Sequence, residues 1–415
     1  MWRGIGSGSV RYDGSPTVTP TLSGCPWGTQ QVNDIENSMA NWVPIAVVPS
    51  VDVRTSNLAG PHIALLGADD ERYQRCVDES PDLGSFLSSF TDSHGKMVRP
   101  SLIATSTLYG GKPSPSAVSS FKDIVVASVT LDERLHAILS DNVRGPFYSG
   151  SFDIYPWMIS NYRDRLVART PAISSLHRLQ GFRGLASPAL PIHRIEDEYV
   201  HGGLFAGLYR LWQRQYISNE DNWEPRAILR SVNMASAAMQ LPITSVAETI
   251  YDWGRCISLW VSAFEILVHP GGNGQANQNK VLEMLWEIEW LYRGNRDAIY
   301  PIEFGRKRTE QRTLPEFLYN LLYRLRNDYL HGNPVEGEGF MMENGTSVLS
   351  YPAALYRMAL ASKVPHEDPI SHEDVNSGRR SIEEYSLYYR STLFQNDCEK
   401  CLLRAVDPEA AKDDE

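Results

Sequence analysis

Two runs of this chain repeat their apolar residues so regularly, and stop so clearly, that they decide what its C-terminal half can be. Val246, Ile250, Trp253, Ile257, Trp260, Val261, Phe264 and Val268 recur at the helical period of about 3.6. Ser245, with Glu248 three residues on, opens the run as a capping box, and His269-Pro270-Gly271-Gly272 ends it. Thr313 and Glu316 repeat the box around Pro315 and open a second helix, which stops at His331-Gly332-Asn333-Pro334. Arg226–Gln240, Lys280–Tyr292, Tyr351–Ser362 and Ser381–Val406 predict further helices. Helices of this kind pack as an antiparallel bundle, expected over residues 223–406, with a domain border near Trp223-Glu224-Pro225 and an acidic tail at 407–415.

Residues 1–222 have a different texture. Ser, Thr, Gly and Pro are frequent in the first part, and short apolar runs bounded by turn residues predict strands at Trp42–Val48, Ile63–Leu66 and Leu102–Ala104. Helices follow, one through Val118, Phe121, Ile124, Val125, Val129 and Leu131, another from Leu204 to Tyr216. The expected fold class is therefore α+β, a mixed N-terminal region and an all-α C-terminal bundle. Between them Gly145–Trp157 is a loop dense in aromatics; such rings either stack on a base or ligand or, more commonly, anchor the loop on the core.

Composition narrows the function classes. Over 415 residues, 42% are hydrophobic and 21% charged, which excludes a disordered or collagen-like chain. No apolar stretch approaches the ~20 residues of a membrane span, the first residues lack a secretory signal, and five cysteines are no disulfide framework. A soluble, cytoplasmic protein with no membrane partner is expected. The net charge of −11 argues against a generally basic nucleic-acid coat. The sign reverses locally, where Arg293, Arg296, Arg306, Lys307, Arg308, Arg312, Arg324 and Arg326 face only Asp297, Glu303, Glu310 and Glu316. That stretch is either a solvated connecting loop or an electropositive surface for a phosphate backbone.

The chemistry concentrates on the second helix. Leu314, Phe317, Leu318, Leu321, Leu322, Leu325 and Tyr329 form its apolar stripe. Beside it run Tyr319, Tyr323, Asn327 and His331, four residues apart on one line, with Arg326 at its edge. A guanidinium, an amide and an imidazole thus gather near one helix end. The guanidinium can neutralise charge on a phosphodiester and the imidazole can move a proton, with no metal or cofactor called for. Taken alone, such residues are most often surface groups and caps.

Arg326-Asn327-Asp328-Tyr329-Leu330-His331 resembles the R-x4-H signature, with Asn after Arg, of the HEPN superfamily. Leu259–Leu267, which carries Glu265, is similar to the long helix of the ApeA-like HEPN branch, and Ala354–Leu360 to its closing helix. The likeness spans roughly Pro225 to Val406. It implies a helical bundle that pairs as a homodimer and a metal-independent endoribonuclease, in which the ribose 2′-hydroxyl attacks the adjacent phosphate. By that resemblance His331 is the general acid/base, Arg326 holds the phosphate and Asn327 orients the site. Glu265 and Tyr323 support it, and Arg306, Lys307, Arg308 and Arg312 guide RNA. Family members serving in phage defence or as toxins imply a second, trigger-sensing region, here residues 1–222, and a phage or regulatory protein as trigger. The alternatives are a non-catalytic dimerisation or adaptor module with a protein or nucleic-acid partner, and a protein paired with a nucleotidyltransferase.

Other constellations are weaker. Cys398 and Cys401 have no second pair for zinc. His193, Glu196, Asp197 and His201 lack a zinc-helix arrangement, and His269 is expected to be a helix-end residue and nothing more. Gly110-Gly111-Lys112 lacks the earlier glycine of a P-loop, and Gly271–Gly274 follows a helix rather than a strand.

Overall fold

Alternation in the N-terminal strands produces a sheet buried on both faces. In the computed structural model, which describes residues 41–139, 148–157, 165–166, 176–177, 183–186, 192–240, 249–304, 308–364 and 382–407, β1 (Trp42–Val48), β2 (Ile63–Leu66), β3 (Ser101–Ser106) and β4 (Tyr155–Pro156) form a sheet in the order β2-β3-β1-β4. Its neighbouring strands pair antiparallel. Ala46, Val48, Ile63, Leu65 and Ile103 pack on one face, while Val47, Ala64, Leu66, Leu102 and Ala104 pack on the other. A bulge between Pro44 and Ala46 shifts the register, so Trp42 joins the second face although its parity matches Ala46. That face is covered by α1 (Glu71–Glu79) and α2 (Pro81–Leu87) through Tyr73, Cys76, Leu83 and Phe86.

The first face meets the helices. Here α3 (Pro115–Leu139) is buried nearly all round, through Val118, Phe121, Ile124, Val125, Val126 and Val129, as a central helix must be. It packs on α4 (Gly202–Tyr216) and α5 (Trp223–Ala238) and on the last two helices of the chain, while α6 (Ile250–Leu267) packs on α5 and α7 (Gln278–Glu287) lies beyond it. The short α8 (Arg293–Arg296), then α9 (Leu314–Leu330), α10 (Pro352–Lys363) and α11 (Ile382–Val406), complete the set. One hydrophobic cluster runs from Ile103 of the sheet through α3 and α4 to Leu402 of α11, so the core continues across position 222/223. Among the described residues no helix is long and apolar enough to cross a membrane.

The molecule is an α+β mix, but its C-terminal half is not all helix. Ile299–Phe304 (β5) and Arg308–Thr313 (β6) form an antiparallel hairpin inside what the sequence presented as a loop. Of its strand residues only Ile302 and Thr313 are buried, so periodicity carried almost no signal. Helix α7 ends at Glu287, five residues before the expected Tyr292, because Ile288 turns to extended backbone and Tyr292 precedes α8. Helix α6 begins after Thr249, whose N–H and hydroxyl both donate to Asp252 Oδ2 (3.1 and 2.9 Å). Ser245 and Glu248 lie outside the described residues, as do Ser381 and most of the acidic tail.

The aromatic loop anchors the fold in the part described. Tyr148 and Phe152 are buried, Tyr155 pairs with Val47, and Trp157 packs on Phe86 with centroids 5.2 Å apart. Cys398 and Cys401 are buried thiols, pushed up by burial. His193 is buried and its imidazole lowered to about 4 by desolvation, whereas His201 caps α4 by accepting the Leu204 N–H at 2.9 Å.

Candidate active site

Helix α9 is held at both ends. Thr313 donates its N–H and hydroxyl to Glu316 Oε2 (3.0 and 2.8 Å), while Arg312 Nη1 reaches Glu316 Oε1 at 2.9 Å. Its last turn closes around Gly332, whose φ of +70° favours a residue without Cβ. The Gly332 N–H donates to Tyr329 O and the Asn333 N–H to Asp328 O (3.3 and 2.9 Å), a Schellman closure that leaves His331 at the cap, exposed. Gly254 of α6 lets the Tyr329 ring lie on its backbone, where an added Cβ would come within 2.2 Å of that ring. Phe264 meets Tyr319 further along (centroids 5.2 Å), so α6 and α9 run antiparallel and in close contact.

The apolar stripe is rotated from the expected one. Leu314, Leu318 and Leu322 are buried as predicted, but Phe317, Leu321, Leu325 and Tyr329 are only half-buried. Tyr319 and Asn320 are buried instead, and Gln278 Nε2 donates to Asn320 Oδ1 at 2.7 Å. The line of residues four apart therefore descends from solvent into the core: His331 exposed, Asn327 and Tyr323 half-buried, Tyr319 fully buried.

Arg326 is the centre of this line. Its guanidinium lies 5.8 Å from the centroid of the Tyr323 ring, donates from Nη1 to Asn327 Oδ1 at 3.0 Å, and approaches Glu265 Oε2 with Nη2 at 3.6 Å. The last contact is an ion pair too long for a good hydrogen bond, and both side chains stay about a fifth to a quarter exposed (20% and 24%). Burial raises the Glu265 carboxyl above its ordinary range, against the opposing pull of Arg326. The Tyr319 hydroxyl is buried without a hydrogen-bond partner, and its ionisation is pushed well up by burial and by the nearby Glu265 charge. Asn327 links the constellation: its amide oxygen receives Arg326 and its carbonyl receives the His331 N–H at 2.9 Å.

Glu265 also faces a second space. A cleft of about 470 Å³ opens between α5, α6 and the loop after α6, lined by Arg230, Met234, Glu265, Ile266, His269 and Gln275 among others. His269 follows the end of α6, as expected, and also borders this cleft: its carbonyl accepts the Trp223 Nε1–H at 2.8 Å, and its Nδ1 accepts the Gly271 N–H at 3.0 Å. The signal for this wall was present as Ser262, Glu265, Ile266 and His269 at i, i+3, i+4 and i+7 on an otherwise apolar helix.

The structure brings Glu265, Tyr323, Arg326 and Asn327 together, with His331 joined through backbone. Arg308 and Arg312 stand elsewhere. The hairpin packs on the start of α9 (Tyr300 on Phe317, centroids 4.9 Å apart), and the rise of a helix puts Phe317 roughly 20 Å from His331. Arg312 is taken up by Glu310 and Glu316, and Arg308 pairs with Glu310 while leaning on Phe304. Arg306 and Lys307 lie outside the described residues. Among the described residues no group of three or more His, Cys, Asp or Glu side chains is placed to hold a metal ion. Comparison with protein-family models, curated proteins and solved structures finds no match.

Proposed function

We propose that this chain is a metal-independent endoribonuclease of the HEPN type, working as a homodimer in phage defence or as a toxin. The observation that carries the reading is the state of Arg326. Asn327 orients its guanidinium and Glu265 meets it only at 3.6 Å, so it retains donors for a phosphate, one helical turn from an exposed imidazole. In this mechanism His331 takes the proton from the ribose 2′-hydroxyl, whose oxygen attacks the adjacent phosphorus. Arg326 neutralises the charge that develops there. The 5′-oxygen leaves with the proton that the His331 imidazolium returns, as the P–O5′ bond breaks, giving a 2′,3′-cyclic phosphate and a 5′-hydroxyl. Tyr323 supports the guanidinium, Arg306, Lys307 and Arg308 draw RNA in, and residues 1–222 receive the trigger.

One observation favours a non-catalytic adaptor: a pair such as Glu265–Arg326, crossing from α6 to α9, also serves a scaffold. Labelled RNA incubated with the purified protein in EDTA separates the two. Cleavage that leaves cyclic-phosphate ends, and is lost in Arg326→Ala and His331→Ala with fold and dimer retained, supports the nuclease. Intact RNA under activating conditions supports the adaptor.

A further inference from the structure

The cleft beside Glu265 has a donor and acceptor pattern of its own. Met234 of α5 and Ile266 of α6 give it apolar walls, which suit a flat ring. Glu265 supplies a carboxylate, with two acceptor oxygens side by side. His269 accepts the Gly271 N–H through Nδ1, so its ring proton sits on Nε2 and the ring offers a donor. Arg230 adds a guanidinium on the same wall as Met234, one turn away. Glu265 belongs to both places, since it lines the cleft and lies 3.6 Å from the guanidinium assigned to the phosphate. A group seated in the cleft is therefore the neighbour of a phosphate on Arg326.

We infer that the cleft is a base subsite for guanine, which makes the nuclease cut next to guanosine. The assignment takes its substrate class from the nuclease reading above and adds the base. Guanine alone among the four bases presents two adjacent N–H donors, N1 and N2, on its pairing edge, and these match the two oxygens of Glu265. Its O6 and N7 are acceptors, which match Arg230 and the His269 Nε2–H. Adenine places a ring acceptor beside its single amino donor, and that acceptor would face the carboxylate lone pairs. Cytosine does the same, and uracil flanks its one N–H with carbonyls. Partial burial of Glu265 sharpens the choice, because a mismatched edge sets an acceptor against a half-dehydrated carboxylate that only Arg326 then meets, at 3.6 Å.

The test uses the full chain carrying His331→Ala, so that binding is read without cleavage. Guanosine, adenosine, cytidine and uridine monophosphates are titrated separately by calorimetry. Guanosine monophosphate is expected to bind about tenfold tighter than the others or better, the discrimination of one good bidentate contact. Glu265→Gln removes half of the acceptor pair and is expected to erase the preference. Ala276→Trp, on the loop that lines the cleft, is designed to fill it with Arg326 and Glu265 left unsubstituted and is expected to do the same. Circular dichroism verifies that each variant folds. Equal affinity for the four nucleotides, no binding, or a preference that survives Ala276→Trp overturns the subsite. Guanosine preference in a protein that cuts no RNA upholds the subsite and removes the nuclease. Cleavage without that preference does the reverse.

Discussion

The two ends of helix α9 use the same pair of residue types for opposite purposes. At its start Glu316 is fully buried, and its oxygens are filled by the Thr313 N–H and hydroxyl and by Arg312, all within 3.0 Å. Near its far end Glu265 and Arg326 stand 3.6 Å apart, both partly open to solvent, one bordering a cleft. Glu399 belongs with the first kind: buried on α11, it accepts from the Leu291 and Tyr292 N–H groups, Asn295 Nδ2 and Gln395 Nε2 at 2.8 to 2.9 Å. A carboxylate whose lone pairs the fold has already filled has nothing left for a ligand, and its removal is felt as lost stability. A loosely met pair contributes little to stability and keeps its donors and acceptors for chemistry.

The widest separation between the two ends should appear in activity. His331→Ala is expected to lower RNA cleavage by a factor of about 10² to 10⁴, the usual worth of a general acid/base, while its urea midpoint stays near that of the parent. Glu316→Ala should do the converse, lowering unfolding free energy by about 3 kcal/mol, because the Thr313 N–H and hydroxyl lose their acceptor and Arg312 keeps only Glu310. A smaller loss of about 1 kcal/mol is expected for Thr313→Ala, which removes the cap hydroxyl alone. If the Glu316 and Thr313 variants matched the parent in urea, the first end would not be structural.

The subtlest effect is a pH dependence. Burial raises the folded-state value of Glu265 above the unfolded one, so the native state binds more protons between the two. Its contribution is present in full below the ordinary glutamate range and is lost as pH rises through the raised value. Glu265→Gln should therefore gain stability relative to the parent as pH climbs above the ordinary glutamate range. A stability difference that stays flat or changes in the opposite direction would place Glu265 in the same class as Glu316.

Long apolar periods made α3, α4, α5, α6 and α9 legible, together with the three strands flanked by turn residues. The Thr313–Glu316 box and the stop at Gly332 were visible because capping uses fixed residue types at fixed spacing. The β5–β6 hairpin was not, since its strands lie mostly in solvent and bury little more than Ile302, and a partner strand leaves no mark in the sequence of its mate. The rotation of the α9 stripe was hidden for a related reason: Tyr319 and Asn320 are buried by α6 and α7, which spacing along α9 cannot report. Arg312 offered the same charge as Arg326 in sequence, and only the placement of Glu310 and Glu316 separates their roles.

The central claim is that these two arginines differ in kind, and parallel Arg312→Ala and Arg326→Ala variants put it to the most direct trial. With urea unfolding and RNA cleavage per folded molecule measured on both, Arg312→Ala should lose about 2 kcal/mol and keep its cleavage rate. Arg326→Ala should hold its stability and lose cleavage. An Arg326→Ala protein that cuts RNA at the parental rate, or that is destabilised as much as Arg312→Ala, contradicts the account.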